Sequence, residues 1–297
     1  MIDHELPGLV GSRPLGFLAA MGLLRLGSNI DTQTRLHWRG ESGWLAVISL
    51  PEGVDPVEMV MEDHARWADH PALAFAAGAE RKIADLKHPP AEFRKLMRQA
   101  QLADNPEFAD FVSAYATGVT VDGSDQTKPT ALHFCAGQQI FLGQIARIHV
   151  ELVVDDVWEA LYGPWVGREG AASVRWREGA DRSRALLAFD PSKTKGTSVL
   201  GAEWLAFLSL PSFPVVPLGL RAMATTGCEG RGKRYHFTWP LWTEACSFEE
   251  AKSLIGVADL AKTDASWRAA RGVGLVFRSE IIRSAQGYGN FAPANPL

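Results

Sequence analysis

The sequence predicts an α+β protein, helix-rich, with short antiparallel hairpins and no doubly wound sheet. Three observations predict it. Long apolar-periodic stretches with helix-start signals recur along the chain. Short extended runs are mixed among them without the strand–helix–strand alternation of a parallel sheet. No internal repeat of fixed period is visible. The 297 residues are 46% hydrophobic and 22% charged, which excludes a disordered chain, a collagen and a coiled coil. That length suffices for a large core. It reads as a helix-rich region at 1–125 with an early hairpin and an α+β region at 126–297, or as one domain.

The first element is an apolar helix over residues 14–26. Ser12 is its candidate N-cap, Pro14 suits its first turn and Gly27 is its candidate C-terminal stop. Gly16 and Gly22 each cost roughly 1 kcal/mol against alanine inside a helix. They predict a second backbone packed close to this one, hence a buried helix. Residues 36–39 and 44–50 read as a hairpin around the turn at 40–43. Helices are expected at 55–68, 72–86, 90–103 and 106–117. Asp104-Asn-Pro106 separates the last two, because proline disfavours helical backbone before it.

Residues 122–129 are polar and turn-rich, hence a loop. Residues 130–134 read as extended. A helix is expected at 138–150, with Ile140, Phe141, Ile145 and Ile148 near one face, then a short helix at 156–161. Residues 163–179 are rich in Gly, Arg and Trp, and 190–196 form a polar loop. A helix at 197–210 turns Leu200, Trp204 and Phe207 inward. Pro211, Pro214 and Pro217 then force extended chain. Strands are expected at 220–226 and 234–239. Ser247 to Glu250 is a capping box opening a helix. A helix near 264–271 and a strand near 273–282 complete the order.

The net charge is −4, so bulk charge does not make this chain a general polyanion binder. The three cysteines, Cys135, Cys228 and Cys246, are widely spaced. They form neither a disulfide framework nor a thiolate zinc site and point to a reducing compartment. The early apolar run is shorter than the roughly 20 residues a membrane span needs. Its flanks lack signal-peptide character, and a cytoplasmic protein is expected. Most of the ten tryptophans are expected in cores or interfaces.

Enzyme motifs are sparse. The histidines lack H-E-x-x-H spacing, and His64 and His70 do not share a helical face. His133 and Cys135 would share one face of a strand. They are a conceivable Cys/His pair, but cysteine also serves as a small buried apolar residue. Residues 227–233 follow the G-x-x-x-x-G-K pattern of a phosphate-binding loop. Arg234 stands where serine or threonine belongs, and the alternation after it reads as a strand where the mechanism needs a helix. Nucleotide hydrolysis is rejected on that ground. No catalytic residue, cofactor or metal is assigned.

Charge is unevenly placed. Residues 81–100 carry net +4 and 171–240 net +5, set against −6 over 1–80 and −7 over 101–170. The first basic block holds Arg81, Lys82, Lys87, Arg94, Lys95 and Arg98 on two helices joined at Pro89-Pro90. Arg94 and Arg98, four residues apart, share a face. The block suits several phosphates, an acidic partner, or the acidic 101–170 region of the same chain. The second block includes Arg231, Lys233 and Arg234 on a glycine-rich hairpin tip. That tip suits phosphate backbones or a minor groove, or is a solvated turn. Gln138 and Gln139, at an expected helix start, are suited to hydrogen bonds with bases or backbone, or are plain surface amides.

Three stretches carry a family resemblance. The opening Leu6-Pro-Gly-Leu, followed by Ser12-Arg-Pro-Leu-Gly-Phe-Leu-Ala-Ala-Met-Gly-Leu-Leu-Arg25, resembles the start of large-subunit-like proteins of type I-U (I-G) CRISPR systems. His133-Phe-Cys-Ala-Gly-Gln-Gln139 is similar to a block in small CRISPR-associated proteins of the same subtype. The end, Leu241-Trp-Thr243, Arg271-Gly-Val, Phe277-Arg278 and Gly287-Tyr-Gly-Asn290 to Pro296-Leu297, is similar to the close of family members. The large subunits are longer chains, so the resemblance points to a compact relative or an accessory protein.

The resemblance implies a non-catalytic subunit of an RNA-guided, Cascade-like surveillance complex in antiviral defence. Such subunits bind guide RNA and target DNA, sit on backbone subunits, inspect a short duplex motif beside the target and help recruit a helicase–nuclease. Base pairing reads the long sequence while protein reads the motif and shape. No membrane partner is implied. Two other readings stand beside it: a Cys/His or metal-assisted nucleic-acid hydrolase, and a protein-interaction adaptor without nucleic-acid contact.

Overall fold

The computed structural model describes residues 1–40, 43–73, 85–135, 139–178, 197–231, 234–284 and 287–297. Strand β1 (Ile2–Val10) leads into helix α1 (Pro14–Ile30), followed by β2 (Arg35–Arg39) and β3 (Leu45–Leu50). The three strands form an antiparallel sheet in the order β1-β3-β2, with Ile2 opposite Leu50 and Arg35 opposite Ser49. Sequence reading assigns no strand at β1, because Pro7 and Gly8 disfavour one. β1 lies at the sheet edge, where proline is tolerated, and its register shifts between Leu6 and Val10, around those two residues.

Helix α1 is buried from Pro14 to Gly27. Its glycines explain how a helix so enclosed packs. A Cβ at Gly16 would lie 2.2 Å from the Val10 carbonyl oxygen, and one at Gly22 would lie 1.9 Å from that of Leu205. Both ends differ from expectation. Arg13 is the N-cap, without a side-chain cap bond, while the Ser12 hydroxyl donates to the Gly43 carbonyl at 3.4 Å. The helix passes Gly27 and ends at Asp31, whose N–H donates to Gly27 O. A Cβ at Gly27 would press on Thr34 at 2.7 Å, so this glycine makes room for a neighbour and does not end the helix.

Helices α2 (Pro56–Ala65), α3 (Pro90–Leu102) and α4 (Pro106–Tyr115) each begin on a proline in the first turn, where its missing N–H costs nothing. Asp55 caps α2 by accepting from Val57 and Glu58 N–H. The expected helix at 72–86 falls mainly outside the described residues, and Asp85 and Leu86 lie in a turn. The fourth helix stops at Tyr115. The chain continues as β4 (Ala116–Val121), paired with β5 (Thr127–Pro129). Gly118 and the β-branched Thr117, Val119, Thr120 and Val121 favour a strand over a helix there. Residues 130–134 form turns, with His133 N–H donating to Thr130 O, and are not the expected extended run.

The next helices are α5 (Phe141–Glu151) and α6 (Val154–Tyr162). A two-residue pair follows, β6 (Arg168–Glu169) with β7 (Thr197–Ser198), and then α7 (Leu200–Leu208). The last third builds a larger antiparallel sheet from β8 (Val215–Pro217), β9 (Met223–Thr225), β10 (Cys228–Arg231), β11 (Arg234–Trp242), β12 (Val273–Arg283) and β13 (Gly289–Phe291). Its order is β13-β12-β11-β10-β9-β8, with β14 (Asn295–Pro296) also pairing β12. Between β11 and β12 lie α8 (Phe248–Ile255), opened by the expected Ser247/Glu250 capping box, and α9 (Ala265–Ala269). Among the described residues the architecture is the α+β class, with antiparallel sheets and no doubly wound sheet.

Aromatic side chains tie the two sheets together across α1. Phe17 stacks on Trp38 of β2 at 5.9 Å and lies 5.8 Å from Trp239 of β11. The Trp239 indole N–H donates to Gly11 O and that of Trp242 to Leu36 O, which satisfies the polar edge of each buried ring. On the other side of α1, Trp67, Phe111, Trp204 and Phe207 form a second cluster. Among the described residues, no helix is long and apolar enough to cross a membrane.

Candidate nucleic-acid interface

Helix α3 separates its faces cleanly. Phe93 and Ala100 are buried, and Leu96 and Met97 are partly buried against the core. Arg94, Lys95 and Arg98 are exposed. The apolar face packs on α4 and β4, so Lys95 and Arg98 project away from it and Arg94 lies at its border. Arg94 also donates to Gly118 O at 2.7 Å. A Cβ at Gly118 would sit 2.5 Å from Arg94 Cγ, so the glycine lets the arginine stem lie across β4.

Lys87, before the double proline, is held differently. Its ammonium meets the Asp122 carboxylate at 2.8 Å. Burial opposes ionisation of Asp122, but the Lys87 contact and the N–H groups of Ser124 and Gln126 outweigh it and hold the carboxyl below its ordinary range. This part of the first basic block therefore meets the acidic 101–170 region of its own chain, as one of the sequence alternatives had it. Arg81 and Lys82 lie outside the described residues.

The second basic block lies on a hairpin. β10 and β11 pair antiparallel, with Arg231 opposite Arg234 at the turn end. Lys233 lies outside the described residues, and the backbone alone is described for Arg231 and Arg234. From Arg234 runs a nine-residue strand, where a phosphate-binding loop requires a helix N-terminus. Helix α3 and this hairpin are separated by β4, β8 and β9. Gln138 lies outside the described residues. Gln139 is exposed and precedes the helix, which starts at Phe141.

The residues a hydrolase would use are held in other roles. Cys135 is buried, and burial, with Asp85 and Glu203 adding to it, pushes its thiol up to about 12. Burial brings His133 down to about 4, helped by the Arg283 charge. Its Nε2 lies 3.9 Å from Asp85 Oδ2, beyond hydrogen-bond reach. This disfavours a thiolate–imidazolium pair near neutral pH. His64 stacks on His149 at 4.2 Å, while His70 lies over Trp67 at 3.9 Å. Each ring of the His64/His149 pair has its Nε2 on the other's carbonyl oxygen. Among the described residues no His/Cys/Asp/Glu group of three or more is placed to hold a metal.

A thiol titration follows from this burial. At pH 8 the native protein should react quickly with Ellman's reagent at Cys246 at most, since Cys135 and Cys228 are buried. All three thiols should react after unfolding. Rapid native labelling of Cys135 would contradict its assignment as a packing residue.

Sequence reasoning does not single out two buried carboxyls. Asp85 accepts the Leu142 N–H with both oxygens at 3.1 Å and so caps α5 from a distant segment. Glu203, fully buried on α7, accepts from Ser173 Oγ at 2.7 Å and Val174 N–H at 3.2 Å. Burial brings each up to about 7 against these hydrogen bonds. A lone glutamate in the apolar run 200–208 is a readable signal for Glu203. Asp85 has no comparable signal. Models of known protein families give no match to this sequence, and neither do curated proteins.

Proposed function

We propose that this chain is a non-catalytic subunit of an RNA-guided type I CRISPR surveillance complex. It holds guide RNA or target DNA through α3, helps inspect the short motif beside the target, and helps recruit the helicase–nuclease. The observation that carries the reading is the exposed row of Arg94, Lys95 and Arg98 on a helix whose other face is buried. Arg94 and Arg98 are about 6 Å apart along the axis at 1.5 Å per residue. That lets the two guanidiniums reach neighbouring phosphates of one strand. The hairpin carrying Arg231, Lys233 and Arg234 is the second contact in this reading, directed at the target duplex.

Backbone-directed cations position a nucleic acid without reading its sequence, a division of labour suited to a guide that reads by base pairing. The burial of Cys135 supports binding over nucleophilic cleavage. Ultraviolet cross-linking of the assembled complex on guide RNA and target duplex, followed by peptide mapping, tests the reading. Cross-linked peptides from 90–102 or 228–237 are expected. A complex assembled with this chain but cross-linked through neither segment would overturn it. Divalent-dependent cleavage by the purified chain, abolished by Cys135→Ala or His133→Ala, would replace it with the hydrolase.

A further inference from the structure

The corner between α5 and α6 exposes an apolar surface that the α3 reading leaves unused. Val150 is 82% exposed at the end of α5, and Val153 and Val154 are about half exposed at the start of α6. Trp158 is 55% exposed. Val154, Trp158 and Tyr162 recur every fourth residue and form one stripe along the helix. The Trp158 and Tyr162 rings lie 5.4 Å apart. The opposite face of α6, with Val157, Ala160 and Leu161, is buried and packs on α7 and β1. The stripe is thus not the helix's own core face turned outward.

Its charge surroundings are acidic. Asp155 is exposed beside the stripe on α6, while Glu159 accepts the N–H groups of Val166 and Gly167. Helix α2 packs against α6, and its N-cap Asp55 is exposed and acts on Tyr162. Burial, and then the Asp55 charge, raise the Tyr162 hydroxyl pKa. The basic side chains at this corner are engaged locally. Arg147 pairs with Glu151 at 3.0 Å, and Arg168 pairs with Asp156 and donates to Glu151 O.

We propose that the Val154–Trp158–Tyr162 stripe is a docking surface for a basic amphipathic helix of a partner protein. Trp and Tyr on a protein surface are the side chains that concentrate binding energy when a partner excludes water from them. Val150 and Val153 extend the apolar floor that such a helix would cover. The carboxylates meet its Lys or Arg side chains and set its orientation. Tyr162 is partly buried and packs against the core behind the exposed Trp158, and the same carboxylates repel a phosphate backbone or an anionic lipid surface, so the Trp158 ring is not a stacking platform for bases. The assignment goes beyond the role of α3 and stands whether or not α3 carries nucleic acid.

The test is fluorescence anisotropy of the full chain with a labelled 18-residue Leu/Lys amphipathic helix as probe. A Leu/Glu helix of equal length and a single-stranded oligonucleotide are the comparison probes. Saturable binding of the Leu/Lys helix is expected, weakened at least tenfold by Trp158→Ala and clearly weakened by Asp155→Lys. Trp158→Ala should still unfold cooperatively well above the assay temperature, because the ring is half exposed, and a thermal melt of the variant shows that its loss of binding does not reflect unfolding. No saturable binding, equal binding by Trp158→Ala, or equal binding of the Leu/Glu helix or the oligonucleotide would overturn the proposal. Sedimentation showing a concentration-dependent dimer abolished by Trp158→Ala would overturn it in favour of a second copy.

Discussion

Gly22→Ala should destabilise the protein by at least about 2 kcal/mol, although alanine is the better helix former by about 1 kcal/mol. The added Cβ would lie 1.9 Å from the Leu205 carbonyl oxygen, which is backbone of α7 and not the yielding end of a side chain. Relief requires α1 and α7 to separate. Both helices are buried along nearly their whole length, so separation opens the Trp67/Trp204 cluster on one side. For a domain of this size the melting temperature should fall by about 3 °C or more. Gly123→Ala is the matched control. Nothing lies within 4 Å of its added Cβ, and its effect should stay within about 0.5 kcal/mol. Urea unfolding of the two variants measures both effects, and equal midpoints would contradict the close α1–α7 packing.

Stability should fall as pH rises from about 6.5 to 8, and Glu203→Gln should flatten that fall. Asp85 and Glu203 bind their protons more tightly folded than unfolded, with folded values of about 7. The unfolded chain gives up these protons first, so stability declines as pH climbs from the ordinary carboxyl range through 7. The whole shift corresponds, as an upper figure, to about 4 kcal/mol for Asp85 and about 3 kcal/mol for Glu203, of which about 1 kcal/mol per group is still to be lost above pH 6.5. Buried histidines act with the opposite sign. His133, at about 4, and His64 and His70, both lowered by burial, bind protons more weakly in the folded state. Their share of stability is present above the ordinary histidine value and lost as pH falls through the folded values. The two effects oppose one another below about pH 6.5 and separate above it. Urea unfolding at half-unit steps resolves the window. Parallel profiles for wild type and Glu203→Gln would show that Glu203 is not the titrating group.

What was legible in the sequence follows from which signals are local. Gly16 and Gly22 announce a close backbone neighbour, and the Val10 and Leu205 carbonyls supply it. The Ser247/Glu250 capping box and the prolines opening α2, α3 and α4 are likewise local, and those helices begin where they indicate. β1 was hidden because Pro7 and Gly8 argue against a strand until its edge position is known. The end of α4 was missed because Thr117–Val121 changes the periodicity in mid-segment. The separation of faces on α3 was readable from Arg94 and Arg98, whereas the capture of Lys87 by Asp122 depends on a fold that brings residues 35 apart together. The role of Ser12 is not local for the same reason, since its hydroxyl donates to the carbonyl of Gly43, 31 residues away. The Trp158 stripe shows as an amphipathic pattern only once Val157, Ala160 and Leu161 are known to face the core.

In the proposed role the exposed cations of α3 hold the backbone of guide RNA or target DNA, and the salt dependence of binding by the assembled complex, read for guide RNA and for target duplex, tests it most directly. Each phosphate contact contributes close to one unit to the slope of log affinity against log salt. Replacing Arg94, Lys95 and Arg98 together by alanine should reduce that slope by about two to three units and weaken binding to all duplex sequences alike. An unchanged slope and affinity, in a complex that still assembles, would contradict the account.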